Sequence, residues 1–146
     1  MISRLYKYIL ISVLFLCMSF TEREESSFTF VQLCDTQLGM GGYEHDVKSF
    51  QQAVKQINAL HPDFVVICGD NLVHNATDSS YADFKEIKAG FTMPCYCAPG
   101  NHDVGNIPND TTLRYYRKTI GKDYYDFEHK GYAFILANSQ LWKVTQ

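Results

Sequence analysis

At 146 residues, 46% hydrophobic and 20% charged, the chain suits one globular domain and does not have the composition of a disordered or low-complexity polypeptide. Its formal net charge of −3 argues against a nucleic-acid surface, which needs clustered Lys and Arg to neutralise phosphates and release counterions. The nearest basic group, Arg114, Arg117 and Lys118, falls at helical spacing and reads as a solvated helix face.

The amino terminus reads separately from the fold. Arg4 and Lys7 precede an apolar stretch over residues 8–20, which is short for a transmembrane helix and suits the apolar region of a secretory signal. Residues 1–20 are therefore expected to be a signal peptide or N-terminal anchor, and the protein to be exported, either periplasmic or secreted. Small-residue logic allows cleavage after Ser19 with Cys17 at −3. Lipidation at Cys17 is the lesser alternative because bulky Leu16 precedes it, and an uncleaved anchor is the third. Membrane contact is expected only through this segment. Residues 21–27, polar and acidic, read as a tether, leaving 28–146 for the domain.

From residue 28 the pattern is regular. Residues 28–34 predict a first strand, followed by a glycine-rich loop with Gly39, Gly41 and Gly42. Val47, Phe50, Val54 and Ile57 then recur every three or four residues, predicting an amphipathic helix that closes near Leu60 and is broken by His61-Pro62. Residues 63–68 form a continuous apolar run, as expected of a strand buried on both faces. Tyr81, Phe84 and Ile87 mark a second helix, and residues 93–98 a third strand. A helix over 111–120 follows, then strands at 124–127 and 132–137 that turn near Lys130-Gly131. Strand, helix, strand, helix, strand predicts a parallel sheet with right-handed crossovers, whose loops emerge along one edge. Of the five cysteines, Cys34, Cys68, Cys95 and Cys97 sit in these strands and read as buried thiols rather than disulfides or thiolate ligands.

Each predicted parallel strand is followed by a polar cluster: Asp35-Thr36-Gln37, Gly69-Asp70-Asn71 and Gly100-Asn101-His102-Asp103. Converging at the carboxyl edge of an open α/β sheet, they make an oxygen-rich mouth for divalent cations and then phosphate. Asp35 and Asp70 offer anionic oxygens, Gln37 and Asn101 neutral carbonyl oxygens, a set that leans to manganese, magnesium or iron over thiolate-bound zinc. Asp70 can bridge two ions, and two ions about 3.5–4 Å apart can polarise a phosphoryl oxygen and lower the pKa of a shared water to give hydroxide for in-line attack. His102 would protonate the departing alkoxide, with Asp103 orienting its ring. Taken singly, Asp70-Asn71 and Asn101 read better as turn residues and Asp103 as a helix cap. The joint order of the clusters favours the metal reading. Gly39, Gly41 and Gly42 do not have the spacing of a dinucleotide-binding turn, which sets aside a nucleotide-binding domain.

The ordered set Asp35-x-Gln37, Gly69-Asp70 and Gly100-Asn101-His102-Asp103 resembles the amino-terminal half of a calcineurin-like metallophosphoesterase, in a branch with an Asp-x-Gln signature. The resemblance runs over about residues 28–142 and implies an α/β fold, part of a four-layer α/β/β/α sandwich. It also implies a binuclear centre of manganese, iron, magnesium or zinc, with Asp35 on the first metal, Asp70 bridging, Asn101 on the second and His102 assisting catalysis. Residues 137–140 resemble the next strand end, which leads toward the substrate. Gln37 stands where the family commonly has His, which trades an imidazole for a weaker amide oxygen. The family's later Gly-His and Gly-His-x-His motifs have no counterpart, since no histidine here follows a glycine; His45, His61, His74 and His129 do not replace them. The expectation is thus a truncated first half, with a complementary chain as one source of the rest.

Function follows in two forms: metal-dependent hydrolysis of phosphate esters, or a catalytically incompetent fragment or metal- or partner-binding remnant of such an enzyme. No nucleic-acid partner is expected. His74 reads as a loop residue, Asn75-Ala76-Thr77 and Asn109-Asp110-Thr111 as glycosylation acceptor patterns, and Tyr115, Tyr116, Tyr124 and Tyr125 as packing between a helix and the following strand.

Overall fold

A parallel sheet is organised around β2, Phe64–Cys68, whose sequence Phe-Val-Val-Ile-Cys is apolar at every position because both of its faces are covered. The computed structural model describes residues 27–70 and 78–142. Residues 1–20, nearly all of the tether, Asn71, His74 and Asn75 lie outside the described residues. β1, Phe30–Cys34, pairs with one edge of β2, and β3, Cys95–Ala98, with the other, giving the order β1-β2-β3 with all strands parallel.

The crossovers are helices α1, Tyr43–Leu60, and α2, Asp78–Lys88. Phe50, Val54 and Ile57 of α1 and Tyr81, Phe84 and Ile87 of α2 meet Val65, Ile67 and Cys97 in one core on the same side of the sheet. α1 ends at His61, whose φ of 50° and ψ of 49° put it in the left-handed region, and Pro62 cannot continue the helix. Asn58 then locks the far connection, its amide donating to the Gly90 carbonyl at 2.8 Å and its oxygen accepting from the Thr92 N–H at 3.1 Å. Tyr43 donates to Asp83, tying the two helices; burial first and then that carboxylate push the phenol up to about 12.

The sheet's other face carries Phe64, Val66 and Ala98 and is covered by an antiparallel hairpin, β4, Tyr125–His129, and β5, Tyr132–Leu136. Lys130 and Gly131 turn it with φ of 48° and 82°. Aromatic rings fill the space between the sheets: Phe64 lies edge-on to Phe127 and Phe134 at 5.2 and 5.0 Å, and Tyr96 stacks on Phe127 at 3.7 Å. Asp63 anchors the hairpin tip, its Oδ1 3.0 Å from His129 Nε2 and 2.9 Å from Lys130 Nζ while its Oδ2 accepts from the Thr29 N–H. These donors hold the Asp63 carboxyl well below the usual carboxylate range. On the far side Tyr125 caps the free edge of β3: its hydroxyl accepts from the Cys97 N–H at 2.9 Å and donates to the Cys97 carbonyl at 3.0 Å.

The α/β class expected from the sequence is therefore present as helices, parallel sheet and second sheet. Asp126, Glu128, Ala133 and Ile135 on the outer face of the hairpin are exposed, so a fourth layer is absent among the described residues. Two elements differ from expectation. A short helix α3, Asn101–Val104, occupies the third cluster, and a 3-10 turn lies at Ser139–Trp142, while α4, Asp110–Thr119, matches the helix expected over 111–120. The basic group on α4 lies on an exposed helix face, as expected, and two of its members make contacts there. Arg117 binds the buried Asp123 through two hydrogen bonds of 2.6 and 3.0 Å, and Arg114 donates to the Asp110 carbonyl. The strand cysteines also differ from the expected buried set, since Cys34 is exposed, Cys68 and Cys95 are half-buried and, among the described cysteines, only Cys97 is buried.

Candidate metal centre

Sheet register decides which clusters meet. Cys34 pairs with Cys68, and Cys68 with Ala98, so the three strands finish level with one another. Asp35 therefore stands beside Gly69, and the Gly69 N–H donates to the Ala98 carbonyl at 3.0 Å, carrying the ladder one residue past the strands. Asp35 and Asp70 both take left-handed backbone conformations, with φ of 53° and 45°, a geometry that non-glycine residues seldom adopt outside constrained sites. Each turn swings the chain off its strand at the carboxylate.

Asp70 is fixed to the third cluster. Its Oδ1 accepts from the His102 N–H at 2.9 Å, in the first turn of α3. Gly100 makes the approach possible, since a Cβ there would lie 2.1 Å from Asp70 Oδ1 and 2.3 Å from Asp70 N. His102, half-buried like Asn101 before it, is consequently held at the Asp70 carboxylate through its backbone N–H. This link was not read from the sequence; the signal was the glycine that opens the Gly-Asn-His-Asp tetrad.

Asp103 takes the helix-cap place that the sequence offered beside its orienting role. It is buried, and its Oδ2 accepts from the Gly100 N–H at 2.8 Å, so it braces the start of α3 as a capping side chain does. Burial, together with the nearby Asp103 charge, raises the phenols of Tyr81 and Tyr116, whose buried hydroxyls find no hydrogen-bond partner among the described residues. Gln37 is drawn inward at 9% exposure beside Leu38 of the helix-side core, whereas Asp35 is exposed. The glycine loop is committed to structure: Asp46 Oδ2 accepts from the Gly39 and Gly41 N–H groups at 2.8 and 2.9 Å, which leaves these amides engaged rather than facing a phosphate. Asn138 in the last matching segment is likewise structural, buried and donating to Asp123 Oδ2 at 3.3 Å.

The donor set suits a hard cation, with carboxylate oxygens from Asp35 and Asp70, carboxamide oxygens from Gln37 and Asn101, and the Gly100 notch that keeps Asp70 turned to the third cluster. Among the described residues no group of three or more His, Cys, Asp or Glu side chains is placed to hold a metal, so a site built from those residues draws on amide oxygens as well.

A parallel α/β sheet with an aspartate at each of two adjacent strand ends and an Asn-His pair beyond the third belongs to the phosphoesterase type of hydrolytic fold. The family model for calcineurin-like phosphoesterases matches residues 28–145, and the chain belongs to that family. It is similar to the Serine/threonine-protein phosphatase CPPED1 of Bos taurus, with 34% identity over 143 residues covering 82% of this chain and 45% of the relative. The CPPED1 proteins of Danio rerio and Homo sapiens are 34% and 31% identical, covering 79% and 80% of this chain and 44% of each relative. The chain thus spans a little under half the length of the curated relatives it matches. Calcineurin-like phosphoesterases generally use divalent metals.

Proposed function

We propose that this chain supplies the Asp35–Gln37, Asp70 and Asn101–His102 portion of a divalent-metal-dependent centre that hydrolyses phosphate esters. The observation that carries the reading is the hydrogen bond from the His102 amide to Asp70 across the Gly100 notch, which joins two clusters remote in sequence at one carboxylate. Asp35, Gln37 and Asp70 would hold one cation, Asp70 and Asn101 a second, of manganese, iron, magnesium or zinc. Bound there, such cations supply positive charge that polarises a phosphoryl oxygen and activates water. The protein's part would be to fix the positions of these donors and to hold a proton on the His102 ring for the departing oxygen.

The names of the relatives suggest phosphoserine or phosphothreonine as substrate. An aliphatic alkoxide is a poor leaving group that needs its proton, whereas a nitrophenolate does not. Turnover of p-nitrophenyl phosphate and of a phosphoserine peptide, each with manganese, iron, magnesium or zinc, tests the proposal. We expect Asp70→Asn to abolish both and His102→Ala to lower kcat more for the peptide. Metal-independent turnover, or full activity in Asp70→Asn, refutes it.

The second reading is a remnant without catalysis, favoured by the lack of a three-residue cluster of ionisable ligands among the described residues. Absence of turnover with every metal, alongside a folded chain, would select it. A further segment bringing imidazole ligands would complete the donor set; adding the corresponding second half of a relative should then tighten metal binding. Export through residues 1–20 is part of the same proposal and is tested by cell fractionation of the tagged chain.

A further inference from the structure

Four strand cysteines lie on a three-stranded sheet, and they differ in which thiols solvent reaches. Cys34 and Cys68 are register partners at the ends of β1 and β2. Partners in a parallel ladder project their side chains to the same face, and adjacent strands run about 4.8 Å apart. That spacing lies within the Cα separation of about 4.4–6.8 Å that a disulfide spans. Both thiols belong to the face turned from the helices, shared with Gln32 and Val66, where a groove of about 580 Å³ opens between the sheet and the hairpin. Cys34 is exposed and Cys68 half-buried, and Gln32 Nε2 donates to Cys34 Sγ at 3.6 Å, holding the sulfur on that face. Cys95 and Cys97 are two residues apart on one strand, about 6.6 Å between Cα atoms and at the upper end of that range, and their thiols hydrogen-bond to one another, so what separates the two pairs is access for an oxidant. They lie on the helix side, Cys97 at 5% exposure.

We propose that Cys34 and Cys68 are an oxidative modification site that closes, with a hydroperoxide as oxidant, into a reversible disulfide between β1 and β2. The exposed Cys34 sulfur attacks the O–O bond, taking one oxygen to become a sulfenic acid and releasing the other as water or alcohol. The Cys68 sulfur then attacks the Cys34 sulfur, the S–S bond forms, and the hydroxyl leaves as water. The two thiols together lose two electrons and two protons, and the peroxide gains them. Drawing the Cβ atoms from about 4.8 Å to about 3.8 Å strains the strand ends, so the bond is one that a dithiol readily reverses. The inference stands on the strand register and does not depend on catalysis.

Trypsin separates the participants, placing Cys34 in residues 24–48, Cys68 in 56–85, and Cys95 with Cys97 in 89–114. Hydrogen peroxide is added to the full folded chain, free thiols are alkylated, and peptides are mapped without reduction. The expected result is a dominant 24–48/56–85 linked pair that disappears with dithiothreitol, is lost in Cys34→Ser and in Cys68→Ser, and persists in Cys95→Ser. In denaturant the selectivity should disappear. A dominant Cys95–Cys97 bond, a sulfinic Cys34 beside an alkylatable Cys68, a Cys34–Cys34 linked dimer, or a preference unchanged in denaturant each overturns the proposal.

Discussion

Replacing Gly100 with alanine drives a methyl group into space already held by Asp70. The new Cβ would lie 2.1 Å from Asp70 Oδ1 and 2.3 Å from Asp70 N, and the second of these is backbone, which cannot rotate away. Gly100 itself has φ of −109°, allowed for alanine, so the penalty is steric and carries no conformational component. Separating the β2 and β3 ends to make room costs about 1–3 kcal/mol as an overpacking term. If Asp70 yields instead, the hydrogen bond from the His102 N–H to its carboxylate is lost, about 1.5–3 kcal/mol for a charged acceptor. Either route puts the loss at about 1–3 kcal/mol, or roughly a 4–12 °C fall in Tm for a domain of this size. Urea denaturation followed by circular dichroism measures it, with an unchanged slope showing that the unfolded state is not altered. Gly69→Ala makes a useful contrast: its φ of 74° is strained for alanine, while its nearest contact, at 3.6 Å, is ordinary. A Gly100→Ala protein within about 0.5 kcal/mol of the parent, the scatter expected of an inconsequential surface change, would refute the notch and with it the geometry of the candidate centre.

Three further outcomes follow from ion pairs and capping bonds away from the centre. Arg117, and after it Asn138, hold the Asp123 carboxyl below the ordinary carboxylate range, so the stability it contributes is complete above about pH 4 and is lost as pH falls through the lowered folded value. Asp123→Asn should cost about 1 kcal/mol at pH 7, and that difference should shrink toward zero on acidification; a difference that grows on acidification refutes the pairing. Asp63→Ala should release the hairpin tip, seen as several-fold faster amide exchange at residues 125–136 with β2 still protected, and uniform acceleration would contradict a local latch. Tyr125→Phe strips the Cys97 N–H and carbonyl of their shared partner and should cost about 1–3 kcal/mol by thermal unfolding, whereas an unchanged Tm would mean that water replaces the hydroxyl at no cost.

What could be read from the chain alone divides along the range of the interactions. The strands and helices were legible because Val54 and Ile57 recur at helical spacing and residues 64–68 are apolar without a break, both consequences of local periodicity against a flat core. The positions of Asp35, Asp70 and Asn101 followed from topology, since right-handed crossovers leave successive loops on one edge. The particular partners of Asp103 and Arg117 were not legible because no period encodes them: a buried amide at Gly100 in one case, and Asp123, six residues further along the chain, in the other. The cysteines were misjudged for a related reason. A thiol at a strand end has the same local pattern whether its face is covered or open, and Cys34 lies on an edge strand whose alternating burial leaves it exposed, while its register partner Cys68 sits on the central strand. Burial of a strand residue is a property of what lies opposite, so the opposing layer decides it and the residue's own neighbours in sequence do not. The hairpin reaches Phe64 and Val66 with Phe127, Phe134 and Leu136, yet β5 ends at Leu136, leaving Cys34 and Cys68 at the open end of the sheet beside the very carboxylates of the candidate centre.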